Sequence, residues 1–231
     1  MHNIHKILLK RLKDKNPQKY SSLTQGYSYE DNVVFHLKKL LEKNLIKKVD
    51  SEYLITISGV KEITKYDLKD LEDTGFKTFF IGFLCNYKDN FLVKEHPQAQ
   101  NQVNFYNLPS GKPRFGEAID SALVRTFQNN TGLKLMSKEF KFISLHLKTV
   151  KSSLGETIFD DAFTIYKVDL NKENFEQLSL EKHIKCLTKS EIAKLKNIWP
   201  EIDICILKDS GEELKKYMVY EFVSDYVLDK K

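Results

Sequence analysis

The apolar residues of this 231-residue chain change their period once, and that change limits its folding more than any other feature. Near the start they recur three and four apart, as Ile4, Ile7, Leu8 and Leu12, then as Val33, Leu37, Leu40 and Leu41. After Phe76 they read as strand, beginning with Lys77-Thr-Phe-Phe-Ile-Gly-Phe-Leu-Cys-Asn-Tyr87. The acidic stretch Asp67-Leu-Lys-Asp-Leu-Glu-Asp-Thr-Gly75 stands between them. Period 3.6 and period 2 bury different faces, so the two halves call for different architecture. The expectation is an α+β chain of two modules, roughly 1–75 and 76–231.

Composition narrows the class. With 41% hydrophobic residues the chain can bury a core, and 9 Gly with 5 Pro leave no room for a collagen-like or low-complexity architecture. No apolar run approaches the roughly 20 residues needed to cross a bilayer, so no membrane partner is expected. The first fifteen residues alternate Lys with aliphatics and carry no apolar h-region, so no signal peptide is expected. Cys85, Cys186 and Cys205 are odd in number and far apart, which gives neither a disulfide framework nor a zinc pattern. A reducing, cytoplasmic setting follows as the expectation. The net charge of +5 is uneven. Residues 1–48 carry 11 Lys or Arg against four acids, whereas residues 49–76 carry three Lys against seven acids. A basic segment of this kind suits a polyanion.

In the first module the spacing predicts a helix ending before Asn16-Pro17, a short helix near Tyr20–Leu23, and an N-cap at Ser28 with Asp31 three residues on. The next helix carries Val33, Leu37, Leu40 and Leu41 on one face and Asn32, His36, Lys38, Lys39 and Lys43 on the other, ending at Asn44. Two strands, Leu45–Val49 and Tyr53–Ile57, follow about the turn Asp50-Ser51-Glu52, with a last helix from Ser58. This order resembles a winged helix-turn-helix. The stretches His36-Leu-Lys-Lys-Leu-Leu-Glu-Lys-Asn-Leu-Ile46 and Tyr53-Leu-Ile-Thr-Ile-Ser-Gly59 are similar to the recognition helix and wing of regulators related to the ArsR and MarR families. Asn44 stands where those have glycine, and Val34 where a Ser or Thr often faces DNA. The resemblance implies binding to double-stranded DNA. Asn32 and His36 would reach base edges, and Lys38, Lys39, Lys43, Lys47 and Lys48 would meet phosphates.

In the second module the informative run is Leu108-Pro-Ser-Gly-Lys-Pro-Arg-Phe-Gly-Glu117-Ala-Ile-Asp-Ser-Ala-Leu-Val-Arg125-Thr-Phe-Gln-Asn-Asn-Thr-Gly132-Leu133. It resembles the Nudix box, G-x5-E-x7-R-E-U-x-E-E-x-G-U, with Gly111, Glu117, Arg125, Phe127, Gly132 and Leu133 at their places. The resemblance implies a Nudix-like α/β/α sandwich with a mixed sheet over roughly residues 76–208. Strands are expected at Phe79–Tyr87, Phe91–Glu95, Lys141–Thr149 and Thr157–Val168. Ile119, Ala122, Leu123 and Phe127 are the packing face expected of the box helix.

The opposite face of that helix bears on function. In Nudix hydrolases its glutamates converge on Mg²⁺, a hard cation that takes oxygen ligands. The corresponding positions here are Thr126, Asn129 and Asn130, all uncharged. The resemblance therefore implies a degenerate box, a pseudoenzyme domain that keeps Gly111, Glu117, Arg125 and Gly132 for structure and is expected to hold neither metal nor cofactor. Such a pocket would still bind a small phosphorylated or nucleotide ligand. Lys112 and Arg114 would meet phosphate, and Phe105 and Tyr106 would stack on a ring. The competing reading is a hydrolase of nucleoside diphosphate-linked compounds with a non-standard Mg²⁺ site, its carboxylates being Glu117 and Glu156. A third is a protein-interaction module.

Near the C-terminus a capped helix is expected within Lys182–Ile198, starting at Ser190. A further helix over Glu212–Leu228 would carry Leu214, Met218, Phe222 and Tyr226 at i+4 steps, a stripe fit for packing or a homodimer interface. The combined expectation is a transcriptional regulator that senses a nucleotide-type ligand. Nudix-related regulators place the Nudix part first, and here the order is reversed.

Overall fold

The structure, a computed structural model, describes residues 1–66, 71, 77–97, 104–208 and 216–223. The chain forms two compact units, Met1–Phe76 and Lys77–Lys231. The acidic stretch between the two patterns lies outside the described residues except for Leu71. No helix among the described residues is long and apolar enough to cross a membrane.

The first unit runs α1 (Asn3–Asp14), β1 (Gln18–Lys19), α2 (Tyr20–Leu23), a 3-10 turn at Tyr29–Asp31, α3 (Val33–Glu42), β2 (Ile46–Val49), β3 (Glu52–Ile55) and α4 (Ile57–Ile63). β2 and β3 form an antiparallel hairpin, and β1 adds to its free side in the order β1-β3-β2. Leu8, Leu9 and Leu12 of α1 pack with Val33, Leu37 and Leu40 of α3, with Ile46 and Ile63 completing a core of almost fully buried side chains. Ser28 and Asp31 do form a capping box, but it closes only the 3-10 turn. The chain then bends at Asn32, whose φ of 47° is left-handed, before α3 begins. Asn44 ends α3 in the same conformation, at φ 53°. α4 starts one residue earlier than the apolar pattern implies, because the Thr56 hydroxyl accepts from Gly59 N at 3.0 Å. Gly59 is where α4 crosses the backbone. A Cβ there would stand 2.0 Å from the carbonyl oxygen of Leu45, so only glycine fits.

The second unit contains β4 (Thr78–Tyr87), β5 (Asn90–Pro97), β6 (Asn104–Asn107), β7 (Ser110–Gly111), α5 (Ile119–Thr131), β8 (Lys141–Lys151), β9 (Thr157–Asp169), α6 (Lys172–Glu176), β10 (Ile184–Thr188), α7 (Lys189–Ile192), α8 (Pro200–Ile202), which runs into a π-helical turn at Asp203–Leu207, and β11 (Tyr217–Val223). The sheet has the order β10-β5-β4-β9-β8-β11, with β6 beside β5 and β7 beside β4. β4 pairs with β9 in parallel and β8 with β11 in parallel, while the remaining pairs are antiparallel, so the sheet is mixed. On one face Ile81, Phe83 and Cys85 of β4 pack under Ala122, Leu123 and Phe127 of α5. On the other, Leu84, Phe163 and Ile165 pack under Ile192, Ile202 and Ile206 from α7, α8 and the π-helical turn. Helix, sheet and helix make three layers.

Three expectations are corrected. Ile119 is 38% exposed, because it opens the first turn of α5 ahead of the residues that reach the core. The capped helix starts at Lys189 under Thr188, which forms a capping box with Glu191, and the residues before it form strand β10. The third is the C-terminal helix. Met218 and Phe222 lie on β11, paired with His146 and Val150 of β8, while Leu214 and Tyr226 lie outside the described residues. Steps of four are also multiples of two, so the stripe fits one face of a strand as well as one face of a helix. The aromatic and β-branched run Tyr217-Met-Val-Tyr-Glu-Phe-Val223 favours the strand.

Candidate functional site

The box residues close a latch. α5 ends at Gly132, whose N–H donates to Gln128 O at 2.8 Å from a left-handed cap. Arg125 grips Glu117 with two hydrogen bonds, Nε to Oε1 and Nη2 to Oε2, both 2.7 Å, and Nη2 also reaches Lys112 O at 3.2 Å. Arg114 N donates to Glu117 Oε2 at 2.8 Å. Each Glu117 oxygen is thus engaged, and the Arg125 and Arg114 hydrogen bonds hold the carboxyl down at about 2. Lys112 and Arg114 are exposed on the loop that this latch ties down.

The positions that carry glutamates in the Nudix pattern face different ways. Asn129 is exposed, whereas Thr126 and Asn130 are buried. Asn130 donates to Thr126 O at 2.8 Å and to Ser110 O at 3.4 Å. Thr126 lies against Gly111 so closely that a Cβ on Gly111 would stand 2.5 Å from Thr126 Cγ2. Among the described residues the buried Thr126 hydroxyl has no hydrogen-bond partner. This donor set does not fit Mg²⁺: one amide turned to carbonyls, one hydroxyl packed on a glycine, and one carboxylate saturated by a guanidinium. Among the described residues no group of three or more His, Cys, Asp or Glu is placed to hold a metal ion. Glu156 sits exposed in the β8–β9 turn, where its backbone exchanges hydrogen bonds with Ser152.

A cavity of about 130 Å³ adjoins this loop on the opposite face of the sheet from α5. Ser110 of the box loop and Phe80 form part of its wall, and Lys112 Nζ stands 4.9 Å from the Phe80 ring centroid. Lys148, Asp161, His96 and Trp199 line the interior. Lys148 is 2% exposed; its ammonium donates to the wholly buried Glu201 and lies 3.9 Å from Asp161 Oδ2. The Trp199 and Phe163 rings flank it, with centroids at 4.5 and 4.8 Å. Burial raises the Asp161 carboxyl against the opposing pull of Lys148, and burial lowers His96 to about 4.

Sequence reasoning missed this lining. A signal was present in β8, where Ser144, His146, Lys148 and Val150 share the inward face, and a lysine in that row must be paired. Of the proposed ligand residues, Phe105 is packed in a small core with Val150 and Trp199. Tyr106 is half-buried and donates its hydroxyl to Glu95 at 2.9 Å. Neither ring belongs to the cavity lining: Phe105 is packed against Val150 and Trp199, and Tyr106 is bonded to Glu95, which also pairs with Lys185.

In the first unit Asn32, Lys38, Lys43, Lys47 and Lys48 are exposed. Lys39 pairs with Glu42 at 2.8 Å. His36 is half-buried rather than presented outward. It stacks on His2 with ring centroids 4.4 Å apart, and its Nδ1 lies 3.0 Å from His5 Nε2. Position 36 flanks the buried stripe Val33, Leu37 and Leu40, so the ring turns toward α1. The outward side of α3 instead carries Val34 and Phe35, 65% and 47% exposed.

No protein-family profile matches the chain, and no curated protein matches it. Among solved structures it is similar to the mutator MutT protein of Bacillus halodurans, at 15% identity and a TM-score of 0.48 over 64% of this chain and 92% of that one. It is similar to a NUDIX hydrolase from Nitrosomonas europaea at 16% identity and a TM-score of 0.43, over 60% and 92%. It is also similar to the NUDIX domain of Shewanella oneidensis NrtR, solved with ADP ribose, at 10% identity and a TM-score of 0.42, over 62% and 92%. With a mixed sheet between helices and α5 latched to the Gly111 loop through Glu117 and Arg125, the second unit is similar in fold to these Nudix proteins, and it carries no acidic residue at positions 126, 129 and 130.

Proposed function

We propose that the chain is a DNA-binding transcriptional regulator whose Nudix-like domain binds a nucleotide- or sugar-phosphate-type ligand without hydrolysing it. The observation that carries the ligand half is the engagement of Glu117. A carboxylate with both oxygens committed to Arg125 and Arg114 has little to offer a cation, and Thr126 and Asn130 add no charge to offset its dehydration. The cavity beside the loop supports binding. It is lined by rings and by a buried ammonium, and Lys112 stands exposed at its edge for a phosphate. A thermal-shift series with nucleotides, nucleotide sugars and ADP-ribose tests this reading. Stabilisation without Mg²⁺ is expected. Mg²⁺-dependent phosphate release that disappears in Glu117→Gln or Glu156→Gln would overturn it in favour of the hydrolase.

For the first unit, a winged helix-turn-helix reading is supported by the order of its elements, the β2–β3 hairpin that follows α3, and the exposed lysines of α3 and β2. Lys38, Lys43 and Lys47 would neutralise phosphates. Retention on duplex DNA should fall steeply with salt and weaken when these three are replaced by Glu. Val34 and Phe35 favour a second reading, a protein-docking module, since an exposed apolar pair on the helix meant for the major groove reads no base beyond a thymine methyl. DNA retention indifferent to salt and to the three substitutions would decide for that second reading.

A further inference from the structure

The sheet of the second unit ends differently at its two edges. At one edge β10 is short, carries Lys185 and runs directly into α7. At the other, β11 is seven residues long, Tyr217-Met-Val-Tyr-Glu-Phe-Val223, with no Pro, no Gly and no Lys. β8 holds one side of it in parallel, and among the described residues nothing pairs with the other side. Such an edge is a template for a further strand, and proteins ordinarily blunt it with charge, proline or a covering element. The one charge on β11, Glu221, is already matched by Lys151 at 2.8 Å. Tyr217, Val219 and Val223 stand 57%, 67% and 63% exposed around it.

Hydrogen-bond direction decides what the free side can take. Leu145 N donates to Lys216 O at 3.0 Å, with Leu145 opposite Tyr217. The even-numbered residues of β11 therefore turn their backbone groups toward β8, and Tyr217, Val219, Glu221 and Val223 turn theirs outward. An antiparallel neighbour must set its own outward-turned residues opposite these. A second β11 does so when a twofold axis passes at Tyr220. Tyr217 then lies opposite the partner's Val223, and Val219 opposite the partner's Glu221, and the same in return. These four pairs exchange about eight backbone hydrogen bonds, and no like charges stand directly opposite.

We infer that β11 is a self-association edge: a second copy of this chain adds its β11 antiparallel about a twofold axis at Tyr220 and extends one sheet through both molecules. The inference goes beyond the ligand and DNA readings and depends on neither. The pairing uses up the free edge of each copy, so it closes at two chains.

Sedimentation equilibrium of the full chain, 27.0 kDa as a single copy, measures the association. Twice that mass is expected within concentrations up to about 100 μM. Val219→Glu sets a carboxylate against the partner's Glu221 at two symmetric places, whereas Val219→Lys sets an ammonium there. The first should raise the dimer Kd roughly tenfold or more, and the second should leave it unchanged or lower it. Val219→Pro removes an outward N–H while sparing the bonds to β8, and it should also raise Kd roughly tenfold or more. Circular dichroism with a thermal melt identifies any variant that fails to fold. The opposite effects of Glu and Lys at one exposed site report the register, which a loss of fold would not imitate. A chain that stays at 27.0 kDa throughout would overturn the inference and leave the edge to an extended segment of another protein. A dimer indifferent to Val219→Glu and Val219→Pro, or weakened alike by Glu and Lys, would place the contact elsewhere and overturn it too. Masses that climb past the dimer with concentration would exclude the closed twofold pairing.

Discussion

Thr126 is a small residue with two tasks that conflict. Its methyl packs against Gly111, and its buried hydroxyl has nothing to bond among the described residues. An unsatisfied buried hydroxyl costs roughly 1–3 kcal/mol, whereas a methyl of the same shape costs nothing in that environment. Thr126→Val should therefore be neutral or raise stability by up to about 1 kcal/mol, read from the denaturant midpoint at constant m-value. A loss of more than that would mean the hydroxyl has a partner in solution. Glu117 gives a second test. Its folded-state carboxyl is lowered to about 2, below the ordinary 4.5, so the stabilisation it contributes is present above pH 4.5 and is lost as pH falls toward 2. Glu117→Gln should flatten that acid limb and leave the chain less stable at neutral pH. An unchanged acid limb would argue against the latch.

At the scale of elements, close crossings decide which substitutions the fold tolerates. Gly59 lets α4 pass over the Leu45 carbonyl, and a Cβ would meet that oxygen and Ile55 Cγ1 at 2.0 and 2.8 Å. Gly59→Ala should unfold or severely weaken the first unit, in contrast to its mild effect in an exposed helix, and far-UV dichroism with a thermal melt would register the difference. Much at this scale was legible in advance. α1 and α3 have apolar stripes and flanking breakers that leave little choice, and β4, β5, β8 and β9 carry aromatic or β-branched runs. The stripe Leu214, Met218, Phe222 and Tyr226 sits four apart, a spacing that serves either element, so β11 is told from a helix only by its aromatic and β-branched run. β6 and β7 escaped because strands of four and two residues have no period to read. The box was legible through the fixed distances between Gly111, Glu117, Arg125 and Gly132. The cavity was not, because Lys148, Asp161 and Glu201 come from β8, β9 and α8, and only tertiary pairing brings them together. His36 was misjudged for the same reason: its ring is drawn toward α1 by His2 and His5, which lie some thirty residues away in sequence.

The whole molecule carries buried or half-buried histidines in both units, and they set a common response to acid. Burial, reinforced by His36 and His2, lowers His5 in the first unit to about 4. Burial, reinforced by Lys94, does the same to His96 in the second. A histidine whose folded-state value lies below 6.5 binds fewer protons in the native than in the unfolded chain, so stability rises with pH through that interval. Both units should be fully stable above pH 7 and lose stability as pH falls from about 6.5 toward 4. His5→Phe should reduce the pH dependence of the first unit, and His96→Phe that of the second, as followed by melting across this range. A flat profile in the wild-type chain would show that neither ring is shielded in solution.

The contact between Thr126 and Gly111 also bears on how this chain could change over time. A glutamate introduced at position 126 would have no space until the Ser110–Gly116 segment lifted away from the helix, and one at position 130 would forfeit the amide that fastens that segment at Ser110. Acidic side chains could therefore enter singly at the exposed position 129 but not at 126 or 130, so the packing acts as a ratchet that holds those two buried positions uncharged.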